Sequence, residues 1–169
     1  MGRTDKVINN YLNREVKNCL VTDWSEEEAP GNDTIKLLKA EIVPQLDADA
    51  DAITVATAMD MKFRFYLARP MNVNLSLLLY TASGVCIFNV ATESKPLGEG
   101  VHESELKIPG HLLNDDIYTI NLLFVKDTST ILYQKDDLLT FEVTDYVREG
   151  NWYGKWLGAV RPSLDFSLT

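Results

Sequence analysis

From residue 34 onward, apolar and polar side chains alternate with a period of two, the signature of strands with one buried face. The pattern predicts strands over residues 34–43, 52–58, 61–68, 73–80, 85–90, 102–108, 117–125 and 138–143, with a short one at 131–133. Pro44, Pro70 and Pro109-Gly110 stop strands, and residues 46–51 read as a polar turn. Thr81-Ala82-Ser83-Gly84 separates two apolar runs and predicts a hairpin. Many short strands with a turn signal at roughly ten-residue spacing predict an all-β antiparallel sandwich. Strands and helices do not alternate, which argues against a parallel nucleotide-binding sheet.

Before residue 34 the pattern differs. Val7, Ile8, Tyr11, Leu12 and Val16 fall on one stripe and predict a short helix over 5–18. A helix this short needs something to pack on. An acidic connector follows over 22–33, carrying Trp24 and the breaker pair Pro30-Gly31. The expected organisation is a leader helix and linker over 1–33 and a sandwich with a C-terminal tail over 34–169.

Alternation also assigns the faces. In residues 61–68, Phe63, Phe65 and Leu67 oppose Lys62, Arg64 and Tyr66; in 102–108, Ser104, Leu106 and Ile108 oppose Glu103, Glu105 and Lys107. If these strands share a sheet, Lys62 and Arg64 meet Glu103 and Glu105 on a charged, solvated face. Two other strands differ. Val73, Leu75, Leu77 and Leu79 point inward with Tyr118, Ile120, Leu122 and Phe124. Their outward sets are Asn74, Ser76, Leu78 and Tyr80, and Thr119, Asn121, Leu123 and Val125. Were those strands neighbours, the face would be uncharged and half apolar. Such a face is seldom left bare, so a ligand, a partner subunit or the tail is expected on it.

The charge narrows the partners. With 16 Lys and Arg against 25 Asp and Glu, the net charge is −9. An acidic surface repels phosphate backbones and anionic bilayers, which discounts nucleic acid and membrane surfaces. Two cysteines, Cys19 and Cys86, form neither a disulfide framework nor a metal spacing and read as free thiols in a reducing compartment. No signal-like apolar leader or membrane-length apolar run is present, so a soluble cytoplasmic chain is expected.

Candidate chemistry is thin. Neither a P-loop nor a Gly-x-Ser-x-Gly elbow occurs. His102 and His111 sit near strand ends and read as solvated. Asp47, Asp49 and Asp51 alternate as in a calcium loop, but Ala52 and Ala58 stand where the turn glycine and bidentate glutamate belong. The remaining acids fall mostly in turns, away from a two-carboxylate hydrolase arrangement. Neither catalysis nor a cofactor is expected.

Several segments carry a resemblance. Val7-Ile8-Asn9-Asn10-Tyr11-Leu12 resembles the helix that ends the nucleotide-binding domain of polysaccharide-export ABC transporters. Ala29-Pro30-Gly31-Asn32-Asp33 and the strand after it are similar to the start of the domain that follows there. Residues 80–88, the Phe141-Glu142-Val143 strand and the tail Gly154-Lys155-Trp156-Leu157-Gly158-Ala159-Val160-Arg161-Pro162-Ser163-Leu164-Asp165-Phe166 are similar to later parts of that domain. In order and spacing, these segments resemble the Wzt-type C-terminal domain of ATPase subunits that export O-antigen or related polysaccharide.

The resemblance implies an immunoglobulin-like sandwich that binds the exported glycan without catalysis, often as a homodimer. Its partners would be an ATPase domain and a membrane subunit, which places it at the inner face of the cell membrane. The ATPase domain is not in this chain, which therefore reads as an excised or a stand-alone domain. No glycan-binding residue carries over by position. From the residues themselves, the expected carbohydrate site is Asn74, Ser76, Tyr80 and Asn121 over a floor of Leu78 and Leu123. Cover by a dimer mate or by the tail is the alternative use of that face. Trp152, Tyr153 and Trp156 are expected to pack on the sandwich or another subunit, with a role as sugar platforms the alternative, and Trp24 to anchor the linker or, alternatively, to contact the absent ATPase domain.

Overall fold

The computed structural model describes residues 18–145 and 156–168. Most of the expected leader helix, residues 5–17, and the aromatics Trp152 and Tyr153 lie outside the described residues.

Among the described residues, nine strands form two antiparallel sheets. The first runs β1 (Val21–Asp23), β2 (Ile35–Pro44), β3 (Met59–Leu67) and β7 (Gly100–Ile108) in that spatial order. The second runs β5 (Cys86–Ala91), β4 (Met71–Thr81), β8 (Asp116–Lys126) and β9 (Thr130–Val143), and β6 (Lys95–Leu97) extends the β4 edge beyond β5. The chain changes sheet between β3 and β4 and again between β7 and β8. β2, β3 and β7 thus take the A, B and E places of an immunoglobulin-like sandwich, and β5, β4, β8 and β9 take C′, C, F and G.

The inward rows meet as the alternation predicts. Phe63, Phe65 and Leu67 from one sheet, and Leu75, Leu77, Leu79, Tyr118, Ile120, Leu122 and Phe124 from the other, are all buried. Phe65 and Phe124 cross the gap between the layers with ring centroids 5.1 Å apart. On the outer side of the first sheet, Arg64 pairs with Glu103 in register and Lys62 with Glu105, the latter as an ion pair of 3.8 Å. The charged face is therefore as expected.

Three local expectations change. Residues 52–58 do not form a strand. Thr57 Oγ1 accepts from Thr54 N at 2.9 Å, and Thr57 N donates to Thr54 O at 3.0 Å, which closes a tight turn. Ile53 and Val55 are still buried, and Thr54 bridges to Thr144 at the end of β9. Residues 131–133 and 138–143 belong to one long strand, β9, whose register against β8 shifts twice. The stretch read as a connector holds β1, which pairs with β2.

That N-terminal stretch closes one side of the sandwich. Cys19 exchanges two backbone hydrogen bonds with Thr140 of β9, at 2.8 and 3.2 Å, and Val21–Asp23 then runs along β2. One segment thus ties both sheets. Trp24 packs against the core, and its backbone N–H donates to Leu38 O at 2.9 Å where β2 bulges. Gly31, at φ 150°, lets the chain double back so that Asn32 N reaches Ile35 O at 2.8 Å; a Cβ there would collide with that carbonyl.

The turn from β7 to β8 is fixed by Tyr118. Its fully buried hydroxyl donates to Asn114 O at 2.9 Å, four residues upstream, which is the tyrosine corner of immunoglobulin-like sandwiches. Burial, then the nearby Asp116, pushes its pKa up to about 12. Tyr118→Phe leaves the Asn114 carbonyl without its donor and is predicted to cost about 1–3 kcal/mol in urea unfolding. The folded phenol keeps its proton above the unfolded value near 10. Its stabilisation is therefore full below pH 10 and lost as pH rises through about 12. Tyr118→Phe should flatten that alkaline decline; an unchanged decline would assign it to Tyr66 and Tyr133, whose values burial also raises.

Candidate functional site

β4 and β8 are hydrogen-bonded neighbours at the centre of the second sheet, in register from Val73↔Lys126 to Thr81↔Tyr118 without a shift. That register builds the predicted outer face. Asn74 lies opposite Val125, Ser76 opposite Leu123, Leu78 opposite Asn121, and Tyr80 opposite Thr119. All six expected site residues therefore share one surface. Leu78 and Leu123, at diagonal positions, form its apolar centre; both are half-buried.

The polar groups are not equally available. Asn121 Oδ1 accepts from Asp137 N at 3.0 Å. Asp137 sits at φ 50° where β9 bulges away from β8, so the Asn121 carbonyl stabilises that irregularity and its amide N–H groups are left for an incoming acceptor. Ser76 Oγ donates to Asn89 Oδ1 at 2.8 Å. Tyr80 is half-buried against Cys86 and Thr119. Asn74 is only 8% exposed, and its Oδ1 is buried without a hydrogen-bond partner among the described residues. It lies on the same outer row as Ser76 and Leu78 but is covered, and so is not a reaching group.

Sequence reasoning missed Asn89, which the β4–β5 register sets opposite Leu78, and Gln134 and Thr140, which β9 sets opposite Leu123 and Thr119. They widen the face to four strands and bring carboxylates to its β9 side, where Gln134 Nε2 donates to Asp136 Oδ1 at 2.7 Å and Glu142 lies opposite Ile117. The bulges in β5 and β9 break simple alternation, so only the paired register reveals them. The face can offer amide and hydroxyl donors and acceptors around an apolar centre, which is chemistry suited to neutral polyhydroxylated ligands.

Other concavities lie elsewhere. A groove of about 320 Å³ crosses the charged face of the first sheet along Lys39, Lys62, Arg64, Glu103 and Glu105. A second, of about 590 Å³, sits at one end of the sandwich between Arg69, Met71, Leu97 and Lys126. A third, of about 330 Å³, opens between the two sheets beside β7, lined by Phe65, Leu75, Leu97 and Ser104. His102 lies on the inner row of β7; its Nε2 is 2.8 Å from Gly98 O and its ring centroid is 5.7 Å from that of Phe65. Among the described residues, no group of three or more His, Cys, Asp or Glu side chains is placed to hold a metal ion. No helix of the described residues is long and apolar enough to cross a membrane.

The strand order and the tyrosine corner define an immunoglobulin-like β-sandwich. More particularly, the chain has the fold of the C-terminal domain of Wzt. A crystal structure of that domain superposes with a TM-score of 0.68 over 90% of this chain and 93% of that one, at 14% sequence identity. A β-D-mannosidase from Dictyoglomus thermophilum matches with a TM-score of 0.46 and 13% identity, over 65% of this chain and 13% of the enzyme. No family model matches the sequence, and no curated protein does.

Asn74 supplies a test that separates support from recognition. Asn74→Val removes the unpartnered carbonyl and keeps a strand-forming shape. It should leave the melting temperature unchanged or raise it by a few degrees. A fall of several degrees would show that the amide is bonded in solution.

Proposed function

We propose that this chain is a non-catalytic glycan-recognition domain of the ATPase subunit of a polysaccharide-exporting ABC transporter. The single observation that carries this reading is the match of the whole sandwich to the C-terminal domain of Wzt. The uncharged outer face of β4 and β8 adds chemical support. The polymer is an O-antigen-like glycan of the lipopolysaccharide pathway, and the domain works on the cytoplasmic side of the membrane beside the transporter. It holds the polymer while the ATPase drives the channel.

The bound segment lies across β4 and β8. Asn121 donates through its Nδ2, Tyr80 presents its ring to sugar C–H groups, and Ser76 offers its hydroxyl. Leu78 and Leu123 form the floor, and Asn74 flanks them on the same outer row. A domain of this kind has no reaction to run, so its specificity resides in hydrogen bonds and shape alone.

A second reading, a pairing domain that joins two ATPase subunits without binding sugar, is favoured by the bare apolar side chains of the tail: Leu164, Phe166 and Leu168 are 78%, 101% and 102% exposed. The two readings are compatible in a homodimer that also binds glycan.

Calorimetric titration with surface polysaccharide from the same organism should give saturable binding that unrelated glycans do not. Asn121→Ala with Tyr80→Ala should weaken it at least tenfold while the far-ultraviolet circular dichroism is preserved. Equal affinity in the double variant would remove these residues from the site. No binding at millimolar glycan, with a stable dimer by light scattering, would leave the pairing reading alone.

A further inference from the structure

We propose that Asp136 sets which sugar the outer face accepts: beside Asn121 it reads two neighbouring hydroxyls of an uncharged sugar and turns anionic sugars away. The inference rests on the glycan-recognition reading of that face and deepens it.

β9 does not run flat along β8. Gln134 lies opposite Leu123 and Lys135 opposite Leu122, and pairing resumes with Leu139 opposite Ile120. Asn121 alone therefore faces the stretch Asp136-Asp137-Leu138, which is a bulge. Leu138 and Leu139 both enter the core, at 3% and 0% exposure, so the extra length is pushed outward as the exposed pair Asp136 and Asp137. Asp137 takes φ 50°, a left-handed conformation that aspartate tolerates better than most residues, and its N–H donates to Asn121 Oδ1 at 3.0 Å. Gln134 Nε2 donates to Asp136 Oδ1 at 2.7 Å and holds that carboxylate on the outer face.

Two polar side chains are thus each fixed at one end and open at the other. Asn121 is fixed through Oδ1, and its Nδ2 makes no hydrogen bond among the described residues. Asp136 is fixed through Oδ1, and its Oδ2 takes no donor among the described residues. One open end donates and the other accepts. Adjacent sugar hydroxyls need that combination, since one can give its proton to the carboxylate while its neighbour accepts from the amide. An O–H···O⁻ bond is roughly twice as strong as its neutral counterpart, so Asp136 is the stronger of the two contacts. Leu78 and Leu123 lie beside Asn121 to take the C–H face of the ring.

The same carboxylate discriminates by charge. Residues 134–142 carry Asp136, Asp137 and Glu142 against one cation, Lys135, whose Nζ donates to Asp136 O at 3.2 Å. A uronate or phosphate bound across Asn121 brings a like charge within the screening length of about 8–10 Å and strips water from both partners without a compensating donor.

The test is calorimetric titration of the full chain with surface polysaccharide from the same organism, and with that polymer after its primary hydroxyls are oxidised to carboxylates. The parent should bind the oxidised polymer about tenfold more weakly than the neutral one. Asp136→Asn keeps the shape and removes the charge; it should weaken the neutral polymer about fivefold and narrow the gap between the two polymers. Gln134→Ala releases the carboxylate and should give a smaller loss. Both positions are exposed, so circular dichroism should match the parent. Unchanged binding in Asp136→Asn, with Asn121→Ala still weakened, would overturn this assignment and leave the recognition face standing. Equal affinity of the parent for both polymers, or tight binding of a surface polysaccharide that is itself anionic, would also overturn it. A chain that binds neither polymer would remove the recognition reading and this inference together.

Discussion

The register of β4 against β8 is the constraint on which the rest of this structure depends. Side chains in strands alternate, so a slip of one residue would exchange every buried group for an exposed one. With Leu77 set against Leu122 and Leu79 against Ile120, the apolar rows of both strands enter the gap between the sheets. The same pairing necessarily sets Leu78 beside Asn121 and Ser76 beside Leu123 outside. Burial of the core and assembly of the outer face are thus one event. The outer positions Ser76, Leu78, Tyr80, Asn121 and Leu123 are half-exposed and lie outside that core. The uncharged outer row is therefore the part of the sequence that the core does not demand.

The two edges of the sandwich are treated differently. On one side Cys19 and β1 bridge β9 to β2, and Thr144 of β9 is bridged by Thr54. On the other side, β7 and β5 end their sheets, and Phe65, Leu97 and Ser104 line an opening between the layers. Unpaired edges are hazards for a soluble protein unless they are covered or charged. The alternating outward charges of β7 serve that purpose on one face. The anchor built by Asn114 and Tyr118 sits where the chain turns from β7 into β8. It links the corner that fixes the fold to the tail, where Asn114 Nδ2 donates to Trp156 O and Gly158 O, each at 2.8 Å.

Much of this was legible in the sequence. The alternation in residues 61–68, 73–80, 102–108 and 117–125 identified the inward rows correctly, because those strands keep an unbroken register. The hairpin at Thr81–Gly84 followed from its turn residues. Residues 52–58 misled because Thr54 and Thr57 divert the backbone into a turn while Ile53 and Val55 still supply apolar contacts. β1 was hidden because three residues are too few to show a period, and they owe their conformation to β2. Of the candidate site, the β4 and β8 contributions were readable. Those of Asn89, Gln134 and Thr140 depend on bulged partners and became visible only with the sheet order.

The measurement that tests the account most directly is amide chemical-shift mapping of the isotopically labelled chain during titration with the polysaccharide. The account predicts that shifts concentrate on Ser76, Leu78, Tyr80, Asn89, Asn121 and Leu123, and leave the charged row of Lys62, Arg64, Glu103 and Glu105 unmoved. Shifts confined to that charged row, or to the opening beside β7, would contradict the assignment of recognition to the uncharged face.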